Sequence, residues 1–279
     1  MIHQICKDII KQLNINKFIE TGTHLGGTVA EVSSWFQNLD PDFGTIKTSI
    51  AGPQLNKFVS PEQNIYRYPV FENSSDKAKT KLYSIDIDKQ RQNILQTLFQ
   101  SNPNIKLISD YSDKFIKKMI DTNLISDEDN CFFYLDAHGG ESWPLRDEIS
   151  EILKLKRSII SIDDFVVPFQ PNAGFDVYGN KICDWYYIKD LFENHKTYLY
   201  YPNKPDTDNR GKVFIFVGYN KNELKFMEKL PCFKPLFKGD LYITTLKVRL
   251  IHTKLYSSIE KTKLYSLIRK NIFKKIGIS

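Results

Sequence analysis

"FIETGTHLGGT", residues Phe18 to Thr28, runs from two apolar residues through an acid into three glycines within six positions. That order reads as a strand, a tight turn and the start of a helix. Gly22 and Gly26 let the chain turn sharply, and Gly27 eases helix packing. The backbone N–H groups of a helix start attract an anion, yet Glu20 sits at the end of the strand and would repel one. A ligand carrying an ammonium group suits the turn better.

Working outward, apolar runs bounded by turn signals recur at 17–21, 81–86, 105–109, 131–136, 158–163, 197–201 and 212–219. Amphipathic stretches lie between them at 28–39, 89–100, 112–123, 145–155 and 185–194. Strands alternating with helices predict a parallel sheet covered on both faces. The last two strands are joined by "PNKPDTDNR", Pro202 to Arg210, which is polar and has no helical pattern. A connection without a crossover helix predicts an antiparallel pair. The expected fold is therefore α/β: a Rossmann-like, seven-stranded, mostly parallel sheet with a C-terminal antiparallel hairpin and helices on both faces.

Residues 1–245 are expected to form one domain. Within it, 40–80 is too long for an ordinary connection between a helix and a strand, and reads as an inserted lid or oligomer contact. Residues 246–279 form a basic amphipathic tail with a small repeat, "TKLYSSIEK" then "TKLYSLIRK". The formal net charge is +6, but the tail alone holds nine basic residues and one acid, so the body is close to neutral. Nucleic-acid binding calls for a basic stripe on the folded body, and is not expected. The tail is expected to pack on its own domain or on a partner subunit, or to lie on an anionic membrane surface.

No apolar run reaches the roughly 20 residues that span a bilayer. "MIHQICKDIIKQL" reads as an amphipathic helix and not as a signal peptide. The four cysteines are far apart and form no CxxC pair, which argues against zinc and for a reduced compartment. The expected location is cytoplasmic, with peripheral membrane contact only through the tail.

Each suggestive acid falls at the carboxyl end of a predicted strand, where open α/β sheets bind ligands. They are Asp86 after "KLYSID", Asp110 before Tyr111, Asp136 after "CFFYLD", and Asp163 with Asp164 after "SIISIDD". A single acid there caps a helix or forms a turn; four strand ends in succession fit that explanation poorly.

As a set, these motifs resemble the class I S-adenosylmethionine-dependent methyltransferases, over roughly residues 1 to 220. "E-x-G-x-x-x-G" at Glu20, Gly22 and Gly26 looks like their first motif, Asp86 matches their ribose-binding acid, and "LISDYSD" is similar to the motif beside the adenine. The resemblance implies S-adenosylmethionine as cofactor, held by Glu20 near its ammonium group and by Gly22, Thr23, Gly26, Asp86, Asp110 and Tyr111. "YLDAHG" and "IDD" resemble, more narrowly, the metal-dependent O-methyltransferases of the catechol and macrocin types. That implies a divalent cation, Mg²⁺ by preference, on Asp136, Asp163 and Asp164. It also implies catalytic roles for Asp136 and for His138, the latter as base toward a substrate hydroxyl. "AHGGESWPLRDE" lacks the lysine of the catechol enzymes, which favours a sugar or related small-molecule acceptor. Two alternatives stay open: a metal-independent methyltransferase of the same fold, and a non-catalytic cofactor-binding subunit anchored by its tail. A homo-oligomer is compatible with either.

Overall fold

The computed structural model describes residues 4–51, 67–137, 143–168, 170, 173–179, 181–205 and 208–233. The chain opens with α1, Gln4–Gln12, which buries Ile5, Cys6, Ile9 and Ile10 along one stripe. β1, Lys17–Thr21, follows, and α2 is Gly27–Phe36. β2, Thr45–Ala51, and β3, Arg67–Glu72, pair antiparallel as a separate two-stranded sheet. Next come β4, Lys81–Asp86; α3, Lys89–Phe99; β5, Ile105–Ser109; and α4, Ser112–Asp121. β6 is Cys131–Leu135, α5 Leu145–Ile152 and β7 Ser158–Ile162. β8, Val177–Tyr178, and β9, Lys181–Ile182, make a small antiparallel pair after β7. α6, Trp185–Ile188, runs on into a 3₁₀ turn, Lys189–Phe192, where one helix over 185–194 was expected. β10, Thr197–Pro202, β11, Val213–Val217, and β12, Cys232–Phe233, complete the main sheet.

The sheet order is β12-β10-β11-β7-β6-β1-β4-β5. β5, β4, β1, β6 and β7 are parallel neighbours. β11 is antiparallel to both β7 and β10. These are the expected seven strands; the two-residue β12 is an added edge, pairing with Tyr201 and Pro202. Successive strand residues point to opposite faces, so each apolar run feeds two cores. Phe18, Phe132, Ile159 and Phe214 pack with α1, α2 and α3. Ile19, Phe133, Ile160 and Ile215 pack with α4, α5 and α6 on the other face. Helices thus cover both faces, in the Rossmann-like arrangement expected.

The insertion is rooted in the first of these cores. Phe71 meets Phe43 edge-on at 5.8 Å, Phe43 meets Phe36 at 5.5 Å, and Phe36 meets Phe18 at 6.4 Å. Asp40 accepts hydrogen bonds from the backbone of Asp42 and of Thr80, so one carboxylate ties both ends of the 40–80 segment. The middle of the insertion and the whole 246–279 tail, with its repeat, lie outside the described residues. Among the described residues no helix is long and apolar enough to cross a membrane.

Candidate active site

The chain winds outward from β1 through β4 to β5, then returns to β6 on the other side of β1. That reversal leaves a crevice at the carboxyl ends of the strands. A cleft of about 390 Å³ opens there, lined by residues that include Gly22, Asp86, Asp110, Tyr111, Lys114 and Trp143. The first turn, the ends of β4 and β5 and the start of α4 therefore meet at one cleft.

The turn itself departs from expectation in one respect. Gly22 has φ +84°, and a Cβ on it would fall 2.2 Å from the Asp136 carbonyl oxygen. Gly26 has φ +73°, and its Cβ would meet the Leu95 side chain at 3.0 Å. The close approach that demands glycine is thus made by the chain's own β6 exit and α3; Gly26 does not line the cleft. His24, also left-handed at φ +46°, donates its backbone N–H to Asp86 Oδ2 at 3.0 Å. It serves the turn.

Asp86 accepts from His24 N–H on one oxygen and from Asp88 N–H at 2.9 Å on the other. A carboxylate has about four acceptor sites, so Asp86 ties two turns together and keeps capacity toward the cleft. Asp110 accepts from the Tyr111 N–H at 2.8 Å. Tyr111 is 53% exposed and its ring carries the Lys114 ammonium 4.3 Å from the centroid. Asp113 and Asp147 also line the cleft, but each sits in the first turn of a helix, where an acid is favourable. The lining as a whole has four acids and one lysine, which disfavours a phosphate and suits a cationic ligand.

Glu20 does not line the cleft. It is only 1% exposed and lies under the turn, on the face shared with α2. Its carboxyl accepts from the Ser84 hydroxyl, and Ser84 lies 2.7 Å from Thr23 Oγ1, which accepts from Gln92 Nε2 at 2.6 Å. A hydroxyl has one proton to give. The bonds therefore run Gln92 to Thr23 to Ser84 to Glu20, each group donating once. Burial pushes Glu20 up to about 8, against the hydrogen bonds from Ser84 and Thr28. Glu148 is a second buried acid, in α5; burial raises it to about 7, against hydrogen bonds from Ser112 and Thr21.

Glu20 belongs to a transverse row. Strand register sets Ser84 beside Glu20, Glu20 beside Tyr134, and Tyr134 beside Ser161. Two residues nearer the carboxyl edge lie Asp136 and Asp163. Asp163 binds the Lys212 ammonium, accepts from the Tyr134 hydroxyl, and accepts from Asp164 N–H at 2.9 Å. Lys212 also donates to the Tyr134 hydroxyl at 3.0 Å. Burial alone would raise the Asp163 carboxyl; Lys212, with the hydrogen bonds from Tyr134 and Asp164 N–H, outweighs it and holds the group below the usual carboxylate range. Asp136 goes the other way. Burial first and the Asp163 charge next push it well above that range, with Lys212 opposing. Asp164 binds Arg210, which also binds Asp176.

A divalent cation on the expected set, Asp136, Asp163 and Asp164, finds no support in these pairings. Asp163 and Asp164 point their charge at Lys212 and Arg210, and among the described residues no group of three acid, histidine or cysteine side chains is placed to hold an ion. His138, the expected base, lies outside the described residues.

No protein-family model matches this chain, and no curated protein does. Solved structures do. An O-methyltransferase from Bacillus cereus in complex with SAH is 9% identical, covers 78% of this chain and 82% of its own, and has a TM-score of 0.45. Precorrin-6y C5,15-methyltransferase from Geobacter metallireducens GS-15 is 11% identical over 78% of this chain and 89% of its own, with a TM-score of 0.37. The 23S rRNA methyltransferase ErmE is 9% identical over 100% of this chain and 90% of its own, with a TM-score of 0.39. The acceptors named there are theirs.

Several site residues escape motif reading. Ser84 and Gln92 sit inside an ordinary strand and helix, and only register brings them to Glu20 and Thr23. Trp143 lines the cleft with its ring stacked on Tyr187 at 4.5 Å. Lys212 had a readable signal: it opens the last predicted strand, and an antiparallel partner of β7 brings its first residues to the acid-bearing end of β7.

Proposed function

We propose that this chain is an S-adenosylmethionine-dependent methyltransferase that acts on a hydroxyl of a small polar acceptor, a sugar or a related polyol. The observation that supports it most is the cleft: one turn, Asp86, and Asp110 with Tyr111, contributed by three neighbouring strand ends, line a single space of about 390 Å³. Asp86 would accept from the ribose hydroxyls and Asp110 would border the adenine edge. Tyr111 offers an exposed aromatic face for the base, since ring stacking adds to plain burial. The acidic lining suits a ligand with an ammonium and a sulfonium. Glu20 and Thr23 hold the turn from beneath through the Ser84 and Gln92 chain, in place of the direct contact expected of Glu20.

When bound, the cofactor supplies an electrophilic methyl group. The protein's share is alignment of the acceptor and removal of its proton. Asp136, at the exit of β6 near the Asp163–Lys212 pair, would contact the acceptor. His138, two residues on in sequence, has the side chain suited to accept the proton near neutral pH. No step is assigned to a divalent cation, because two of the three side chains that would ligate it, Asp163 and Asp164, are committed to Lys212 and Arg210.

The test is incubation with methyl-labelled S-adenosylmethionine and a panel of sugars, nucleotide sugars and other polyols. Label recovered in an ether-linked methyl group supports the reading. Label transferred only to nitrogen or carbon acceptors overturns the O-methyl part of it.

A further inference from the structure

β11 runs antiparallel to β7, with Val213 beside Ile162. The residues leading into β11 therefore stand at the carboxyl end of β7, where Asp163 and Asp164 lie. Lys212 and Arg210, two positions apart, bring one positive charge to each acid. The Lys212 side chain is 1% exposed. Asp163 spends one oxygen on Lys212 and on Asp164 N–H, and the other on the Tyr134 hydroxyl. Asp164, at φ +54°, turns out of the strand line to reach Arg210. Arg210 also holds Asp176, whose other oxygen accepts from the Tyr178 hydroxyl at 2.9 Å.

A hard divalent cation needs several carboxylate or carbonyl oxygens around one point. A buried carboxylate needs a counter-charge of some kind, because isolated it is very costly. Here the chain supplies the counter-charge itself.

We propose that Lys212 is a built-in cation, standing among Asp163, Tyr134 and Asp136 where a divalent metal would otherwise sit, so that fold and ligand binding need no metal and removal of Lys212 opens a divalent-cation site. The proposal rests on the methyltransferase reading only for what the strand ends are used for; its readouts need no methyl transfer, so either idea can fail alone. The neighbouring carboxylates are the same in both states. What changes is whether their charge is met by an ammonium on a tether or by an ion from solution.

The experiment uses the full chain, with melting temperature and bound Mn²⁺ as readouts, in EDTA and in millimolar Mn²⁺. The wild type should melt at one temperature in both conditions and bind no Mn²⁺ at the strand ends. Lys212→Ser should melt roughly 10 °C lower in EDTA, recover most of that loss in Mn²⁺, and bind one ion. Lys212→Arg should keep the wild-type behaviour. Two results overturn the proposal. One is wild-type Mn²⁺ binding that Asp163→Asn abolishes, a measurement that stands even where Lys212→Ser fails to fold. The other is a Lys212→Ser protein as stable as wild type in EDTA that takes up no Mn²⁺.

Discussion

The Ser84 hydroxyl donates to the Glu20 carboxyl from the register-paired position on the neighbouring strand. Both groups are buried, and Ser84 links Glu20 to Thr23 within the glycine turn. Ser84→Ala leaves two buried polar groups short of a partner. The expected loss of stability is about 1–3 kcal/mol, read by urea unfolding; Ser84→Thr should retain more of it than Ser84→Ala.

The same burial sets a pH dependence. Folded Glu20 keeps its proton up to about pH 8, whereas an unfolded glutamate gives it up near 4.5. Glu148 behaves alike up to about 7. The folded state binds more protons across these windows, so stability is full below about 4.5 and falls as pH rises through each folded value. The melting temperature should decline from pH 6 to pH 9. Glu20→Gln keeps the shape and an acceptor for Ser84, and should flatten the part of the decline that extends toward pH 8. An unchanged slope in Glu20→Gln would show that Glu20 is not the group titrating.

The two turn glycines should differ in their tolerance of a methyl group. Gly22→Ala puts a Cβ against rigid backbone at Asp136 and strains a positive φ, for a loss of roughly 2–5 kcal/mol. Gly26→Ala meets only side chains, Leu95 at 3.0 Å and Phe99 at 3.5 Å, and should cost about 1–2 kcal/mol from the left-handed backbone. Equal losses measured by chemical denaturation would contradict the assignment of Gly22 to chain packing.

Strand positions were legible because the central parallel strands read as apolar runs, and four of the five parallel runs were closed by an Asp that marked the carboxyl edge. Asp86, Asp110 and Tyr111 were legible for that reason: a strand end needs no partner to be located. The roles of Asp163 and Asp164 were not, because each is decided by a side chain far along the sequence, 49 residues away for Lys212. An acid pair at a strand end has the same local spelling whether it meets a metal or a lysine. The Glu20 contacts were hidden likewise, since Ser84 and Gln92 reach the turn only through strand register and helix docking. The short 3₁₀ turn at Lys189–Phe192 was read as helix because both share the same local apolar spacing.

Asp86 offers the most direct point of attack on ligand recognition. Asp86→Asn preserves the size of the side chain but leaves an oxygen for only one of the His24 and Asp88 amides, and it removes the charge that strengthens bonds to hydroxyl donors. Affinity for an adenosine-containing ligand should drop roughly 10- to 100-fold, and the backbone amide left facing the new NH2 group should lower stability by about 1–3 kcal/mol. Tyr111→Ala should weaken binding by about tenfold through lost stacking.

The central claim is that the cleft beside Gly22, Asp86 and Tyr111 holds S-adenosylmethionine. Isothermal titration of the full chain with S-adenosylmethionine and with S-adenosylhomocysteine, in EDTA, tests it most directly. One-to-one binding of both, weakened by Asp86→Asn and Tyr111→Ala, is the predicted result. No binding of either ligand to the wild type, or binding that neither substitution changes, would contradict it.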